Sequence, residues 1–137
     1  MSTRLLVVDD NPINLKLICD LLEFEGYAVE KAVDAEQAQE VLRHVTPDLI
    51  LMDIALPGMD GLALTRQLKA DEKLKHVPVV ALTAFAMKGD EEKAIAAGCS
   101  GYITKPIDTR KLPQQVAELL RRNASEQKGQ SDEGAGH

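Results

Sequence analysis

A chain of 137 residues has material for one domain and a short tail. Its net charge of −6 and pI near 5.0 exclude nucleic acid as a direct partner, because neutralising phosphate takes a basic stripe. Hydrophobic residues make up 45% of the chain and aromatics only 3%, so its core must be aliphatic.

No apolar run approaches the roughly 18 residues of a membrane span, and Leu5–Val8 is too short for a signal-peptide core. Cys19 and Cys99 fit neither a disulfide framework nor a metal site by spacing, and read as reduced thiols. The expectation is a soluble cytoplasmic protein with no membrane partner.

Along the chain, short apolar runs alternate with longer amphipathic ones. Leu5–Val8 is the first strand, closed by Asp9 and Asp10. A helix over Asn11–Glu25 ends at Gly26, a natural residue just past a helix C-terminus. Ala28–Ala32 is the second strand. Asp34 then caps a second helix, with Gln37 at capping-box spacing. Leu49–Asp53 is the third strand, and Asp60 or Gly61 opens the third helix. Val79–Thr83 follows as a strand and Met87–Ala97 as a helix that stops at Gly98. Gly101–Thr104 is the last strand. A final helix starts between Asp108 and Leu112, with Pro113 in its first turn, and runs to about Asn123. From Ser125 the sequence SEQKGQSDEGAGH has one apolar residue and cannot offset its ordering entropy. The expected organisation is one folded domain over residues 1–123 and a disordered tail over 124–137, with no output domain attached.

Strand–helix alternation repeated five times predicts a parallel sheet covered on both faces. Strands buried on both sides need no alternation, which accounts for the continuous apolar runs Leu5–Val8 and Leu49–Met52. In open α/β sheets, sites form beyond the carboxyl ends of strands. Asp9 and Asp10 end strand one, Asp53 ends strand three, Thr83 ends strand four, and Lys105-Pro106 follows strand five. One Asp at a strand end is ordinarily a loop residue or a cap. Five such residues, of three types, at the corresponding ends of four strands are not so easily dismissed. Clustered carboxylates repel unless a cation intervenes, and hard oxygen ligands suit Mg²⁺.

The stretches VVDDNP, DLILMDIALPGMDG, VVALTAFAM and GYITKPI resemble, in order and spacing, the receiver domains of bacterial two-component response regulators. The likeness runs from Arg4 to about Asn123, and ALTAFAMKGDEEKAI is most similar to single-domain regulators of the DivK, cell-division type. It implies a flavodoxin-like (βα)5, CheY-like fold with strand order 2-1-3-4-5. It implies that Asp53 is the phospho-acceptor and that Asp10 ligates Mg²⁺ directly, with Asp9 as its companion. The backbone carbonyl of Ala55 would complete the protein ligands. Lys105, joined to Pro106 by an expected cis peptide bond, would present its ammonium to a phosphoryl oxygen. Thr83 would donate its hydroxyl to another, and Tyr102 would rotate inward as the switch aromatic. Without such a switch, Tyr102 is simply a rim aromatic with its hydroxyl in water.

Two positions depart from many relatives. Ala55 and Phe85 stand where polar side chains can orient the hydrolytic water, so slow decay of the acyl phosphate is expected. On helix one, Ile13, Leu17, Leu21 and Phe24 form one apolar cluster and Leu15, Ile18 and Leu22 a second. Either the helix is deeply packed, or an outer cluster docks a four-helix histidine phosphodonor. In the second case Leu15→Asp should weaken phosphotransfer.

His44, His76 and His137 lack metal-ligand spacing. Asp90–Lys93 reads as a solvated helix start, and Gly58 and Gly61 as loop-shaping residues, not a nucleotide fingerprint, with Pro57 and Met59 stiffening and covering that loop.

The leading functional reading is a signalling switch. It accepts phosphate from a histidine kinase or histidine phosphotransfer protein and acts on a downstream protein target, as a monomer or a phosphorylation-dependent dimer. It catalyses only its own phosphorylation and dephosphorylation. A haloacid-dehalogenase-type phosphatase would need a DxDx(T/V) first strand and room for a cap. A flavin carrier would need stacking aromatics and a Ser/Thr-rich phosphate loop. A degenerate receiver, binding partners without phosphorylation, is countered by intact Asp9, Asp10, Asp53, Thr83 and Lys105.

Overall fold

The computed structural model describes residues 3–54, 61–83 and 88–122. The expectations placed on Ala55, Pro57, Gly58, Met59, Phe85, Met87 and residues 124–137 lie outside these. The elements run β1 (Arg4–Val8), α1 (Pro12–Phe24), β2 (Ala28–Ala32), α2 (Ala35–His44), β3 (Leu49–Asp53), α3 (Gly61–Ala70), β4 (Val79–Thr83), α4 (Lys88–Ala97) and β5 (Gly101–Thr104). A fifth helix, α5, covers 112–122, with Pro113 in its first turn where no backbone donor is needed. All pairings are parallel and the order is β2-β1-β3-β4-β5, the flavodoxin-like, CheY-like arrangement.

Successive strand residues point to opposite faces, and the core divides accordingly. Leu6, Val8, Ile50, Met52, Val79 and Ala81 pack under α2, α3 and α4. Leu5, Val7, Leu49, Leu51, Val80, Leu82 and Ile103 pack under α1 and α5. Both faces of β1, β3 and β4 are therefore covered, and their apolar runs are continuous because neither side meets water. Cys19 lies in the second core and Cys99 in the first, so the sheet separates the two free thiols.

The helix ends follow from their caps. Asn11 Oδ1 accepts from the N–H groups of Ile13 (2.9 Å) and Asn14 (3.2 Å) ahead of Pro12. Gly26 ends α1 with φ +97°, donating to the Glu23 carbonyl, while Tyr27 donates to that of Leu22. Asp34 Oδ1 accepts from Gln37 N–H at 2.8 Å, and Gln37 Oε1 accepts from Val33 N–H, one residue before the expected cap donor.

Helix α1 corrects one expectation. Leu15 is 6% exposed and packs with Ile18 and Leu22 in the core beneath α1 and α5, so it is not an outer residue. The outward stripe is Ile13 (78% exposed), Leu17 and Phe24 (88%), with Leu21 half-buried beside it. The two arcs are equally apolar, and only packing on the sheet decides which one is covered.

Candidate functional site

Two residues past Val7 on β1, Leu51 on β3 and Ile103 on β5 come Asp9, Asp53 and Lys105. With a period of two, each continues a row of side chains on the α1/α5 face, beyond the last apolar residue. The sheet thus gathers these three groups at one point of its carboxyl edge.

Asp9 is 0% exposed and held twice. Its N–H donates to the Ala32 carbonyl at 3.1 Å, and its Oδ1 accepts from Asn11 N–H at 2.9 Å, a local turn that also places the cap of α1. Its Oδ2 is buried without an aligned hydrogen bond among the described residues and faces the Lys105 ammonium at 3.2 Å. The same ammonium donates to Asp53 Oδ2 at 2.9 Å, and Asp53 is itself 3% exposed. Lys105 N–H donates to the Thr83 carbonyl at 2.7 Å, and the Lys105–Pro106 bond is cis. Burial pushes the Asp9 carboxyl above the usual range; the Asn11 bond and Lys105 offset part of this, and the charge of Asp53 adds to it. Burial alone would lower the Lys105 ammonium, but its hydrogen bond to Asp53 and the charges of Asp53 and Asp9 raise it overall.

One carboxylate oxygen each from Asp9, Asp10 and Asp53 lies within 4.8 Å of the other two, with Asp10 exposed at the mouth. A single ammonium cannot neutralise three carboxylates. The surplus negative charge, the buried Asp9 Oδ2 and the all-oxygen donors fit a hard divalent cation such as Mg²⁺.

Thr83 and Tyr102 occupy the other side of the sheet. Ala81 pairs with Tyr102 and faces α2, α3 and α4; Thr83, two residues on, shares that side. Thr83 is buried and Tyr102 is 39% exposed. The structure thus brings Asp9, Asp10, Asp53 and Lys105 together and sets Thr83 and Tyr102 on adjacent strands behind them, while Ala55 falls outside the described residues. Sequence reasoning missed the clamp of Asn11 on Asp9, although Asp followed two residues later by a helix-capping Asn was its available signal.

Residues 5–117 match the family described as response regulator receiver domain. The chain belongs to that family. This receiver is 45% identical over 120 residues to the polar-differentiation response regulator DivK of Brucella ovis, covering 88% of this chain and 98% of the relative. It superposes on a CheY-like receiver domain protein from Methanospirillum hungatei with a TM-score of 0.84 and 30% identity, over 92% and 99% of the two chains. The receiver domain of a sensor histidine kinase from Pseudomonas aeruginosa, solved with magnesium coordinated in its active site cleft, gives 0.79 and 36% over 88% and 98%. Receivers are signalling modules, not metabolic enzymes. No helix among this receiver's described residues is long and apolar enough to cross a membrane.

Proposed function

We propose that this receiver accepts a phosphoryl group on Asp53 from a phosphohistidine donor and thereby changes its protein partners. The observation that supports this most is the Lys105 ammonium bridging Asp53 Oδ2 and Asp9 Oδ2 beside a third carboxylate. Asp9, Asp10 and Asp53 would hold Mg²⁺, with the Ala55 carbonyl as the expected further ligand. When bound, Mg²⁺ supplies the positive charge that lets an anionic carboxylate approach an anionic phosphoryl group. An Asp53 carboxylate oxygen forms the new bond to phosphorus as the bond from phosphorus to the donor's imidazole nitrogen breaks. Lys105, held at the same point, stabilises charge on the transferring oxygens.

In this reading Thr83 donates to a phosphoryl oxygen and Tyr102 responds from the adjacent strand on the same face. Ile95 and Tyr102 are exposed, on α4 and β5 respectively, which suits that side to the downstream partner. The exposed stripe Ile13–Leu17–Phe24 suits docking of the donor's helices. The Pseudomonas relative's magnesium supports the cation assignment.

The test is phosphorylation by acetyl phosphate with Mg²⁺, read as the mass gain of one phosphoryl group. Wild type should gain it and Asp53→Asn should not. An Asp53→Asn protein modified as readily as wild type would move the acceptor elsewhere.

A further inference from the structure

Gly61, the first residue of α3, sits directly against the backbone of Asp53. It is not among the glycines with positive φ, so no dihedral angle requires a glycine there. Contact does. A Cβ on Gly61 would lie 2.2 Å from the Asp53 carbonyl oxygen, 2.9 Å from Ile54 Cα and 3.0 Å from the Asp53 carbonyl carbon. All three are backbone atoms, which cannot swing aside as a side-chain tip can. At Gly101, by contrast, an added Cβ meets only the end of the Leu119 side chain, at 3.3 Å.

The close approach is held from both directions. Gly61 N–H donates to the Ile54 carbonyl at 3.3 Å, and the Gly61 carbonyl accepts from the buried hydroxyl of Thr65 at 2.8 Å. Ile54 N–H in turn donates to the Leu82 carbonyl at 3.2 Å, next to Thr83. The start of α3, the Asp53–Ile54 peptide and the end of β4 therefore form one clamp. The backbone that carries the Asp53 side chain cannot shift without moving α3.

We propose that Gly61 is a positioning residue for the acceptor, resting on the reading of Asp53 given above. Its missing side chain lets α3 seat on the Asp53–Ile54 peptide, and this seating aims the Asp53 carboxylate at Asp9, Asp10 and Lys105. A side chain at this position must carry its Cβ from 2.2 Å to at least 3.0 Å from the Asp53 carbonyl oxygen, which parts α3 from that peptide. A site whose carboxylate oxygens converge within 4.8 Å responds to a displacement of that size. Thr65 acts on the same peptide through Gly61.

The experiment compares wild type, Gly61→Ala, Thr65→Val and Leu42→Ala for melting temperature, Mg²⁺ dissociation constant by calorimetry and the rate of phosphorylation by acetyl phosphate. Leu42 is a buried core residue of α2, outside the site, and controls for lost stability. Gly61→Ala should raise the Mg²⁺ dissociation constant roughly 10- to 100-fold, the range for a lost supporting contact at a metal site, and slow phosphorylation at saturating Mg²⁺. Thr65→Val should shift both in the same direction by less. Leu42→Ala should lower the melting temperature and leave Mg²⁺ affinity unchanged. The proposal is overturned if Gly61→Ala binds Mg²⁺ like wild type, or if Leu42→Ala loses as much affinity for an equal loss of melting temperature. Should Gly61→Ala not fold, a folded Thr65→Val with wild-type affinity overturns it. A wild type that binds no Mg²⁺ and takes no phosphoryl group overturns the functional reading, and the proposal with it.

Discussion

Asp9 illustrates how a side chain can be favourable for binding and unfavourable for folding. It is fully buried and next to Asp53, and among the described residues its Oδ2 has an ion pair with Lys105 but no aligned hydrogen bond. Such a group weakens the metal-free protein and rewards any cation that settles there. Asp9→Asn should therefore melt higher than wild type in Mg²⁺-free buffer and lose most of the rise that Mg²⁺ gives wild type. For scale, a cation at 100 times its dissociation constant adds about 2.7 kcal/mol. Calorimetric melts with and without Mg²⁺ check this, and an undiminished Mg²⁺ response would remove Asp9 from the cation set. Residues 55 and 85 carry a separate expectation. With Ala and Phe there, no side chain at either position orients water, so phosphate release from the purified phosphoprotein should be slow. A half-life of seconds would refute it.

Among the elements, α1 shows where sequence is readable and where it stops being so. The residues of β2, β3, β4 and β5 match the sequence expectation: β3 and β4 because a short apolar run has few other ways to be buried, and β2 and β5, only partly buried at the sheet's edges, because Gly26 and Gly98 punctuate the chain just before them. The periodicity of α1 likewise marks a helix with two apolar arcs, but a helix alone does not reveal which arc meets the sheet. That depends on Leu15, Ile18, Cys19 and Leu22 facing Leu5, Val7, Leu49 and Leu51, a contact between distant segments. Consequently Leu15→Asp is a folding mutation: it buries an unpaired carboxylate, at a cost of about 3–5 kcal/mol. Leu17→Asp, on the outward stripe, should leave the melting temperature near wild type and acetyl phosphate labelling intact while slowing transfer from a histidine donor. Equal transfer rates for wild type and Leu17→Asp would take the donor off this face. At α2, loss of the Asp34 cap in Asp34→Ala should cost about 1 kcal/mol in denaturant unfolding.

For the molecule as a whole, alkaline stability should reflect the thiol buried under α1. Burial raises Cys19 to about 11 from the ordinary 9.0. Above pH 9 the unfolded chain releases this proton first, so the native state holds more protons and stability falls as pH climbs towards 11. The loss tends towards about 2–3 kcal/mol, with Cys99 adding to it and Lys69, lowered by burial, opposing it. Urea melts at pH 8 and pH 10.5 should show a smaller drop for Cys19→Ala than for wild type. The general position of the site could be read from the sequence because strand ends in a parallel sheet share one edge. The approach of Gly61 to Asp53 could not, since it is a contact between the backbone at the end of β3 and the start of α3, and a glycine at the start of a helix does not announce a contact. The strand order has a kinetic implication too. β1 and β3 each have two neighbours, whereas β5 is a four-residue edge strand paired, among the described residues, with β4 alone. Lys105 follows directly from it. Amide exchange should find Tyr102 and Ile103 opening more often than Leu6 and Leu51, and every such excursion loosens the cation that joins Asp53 to Asp9. The charge balance at the heart of the molecule is thus renewed at the pace of its least anchored strand.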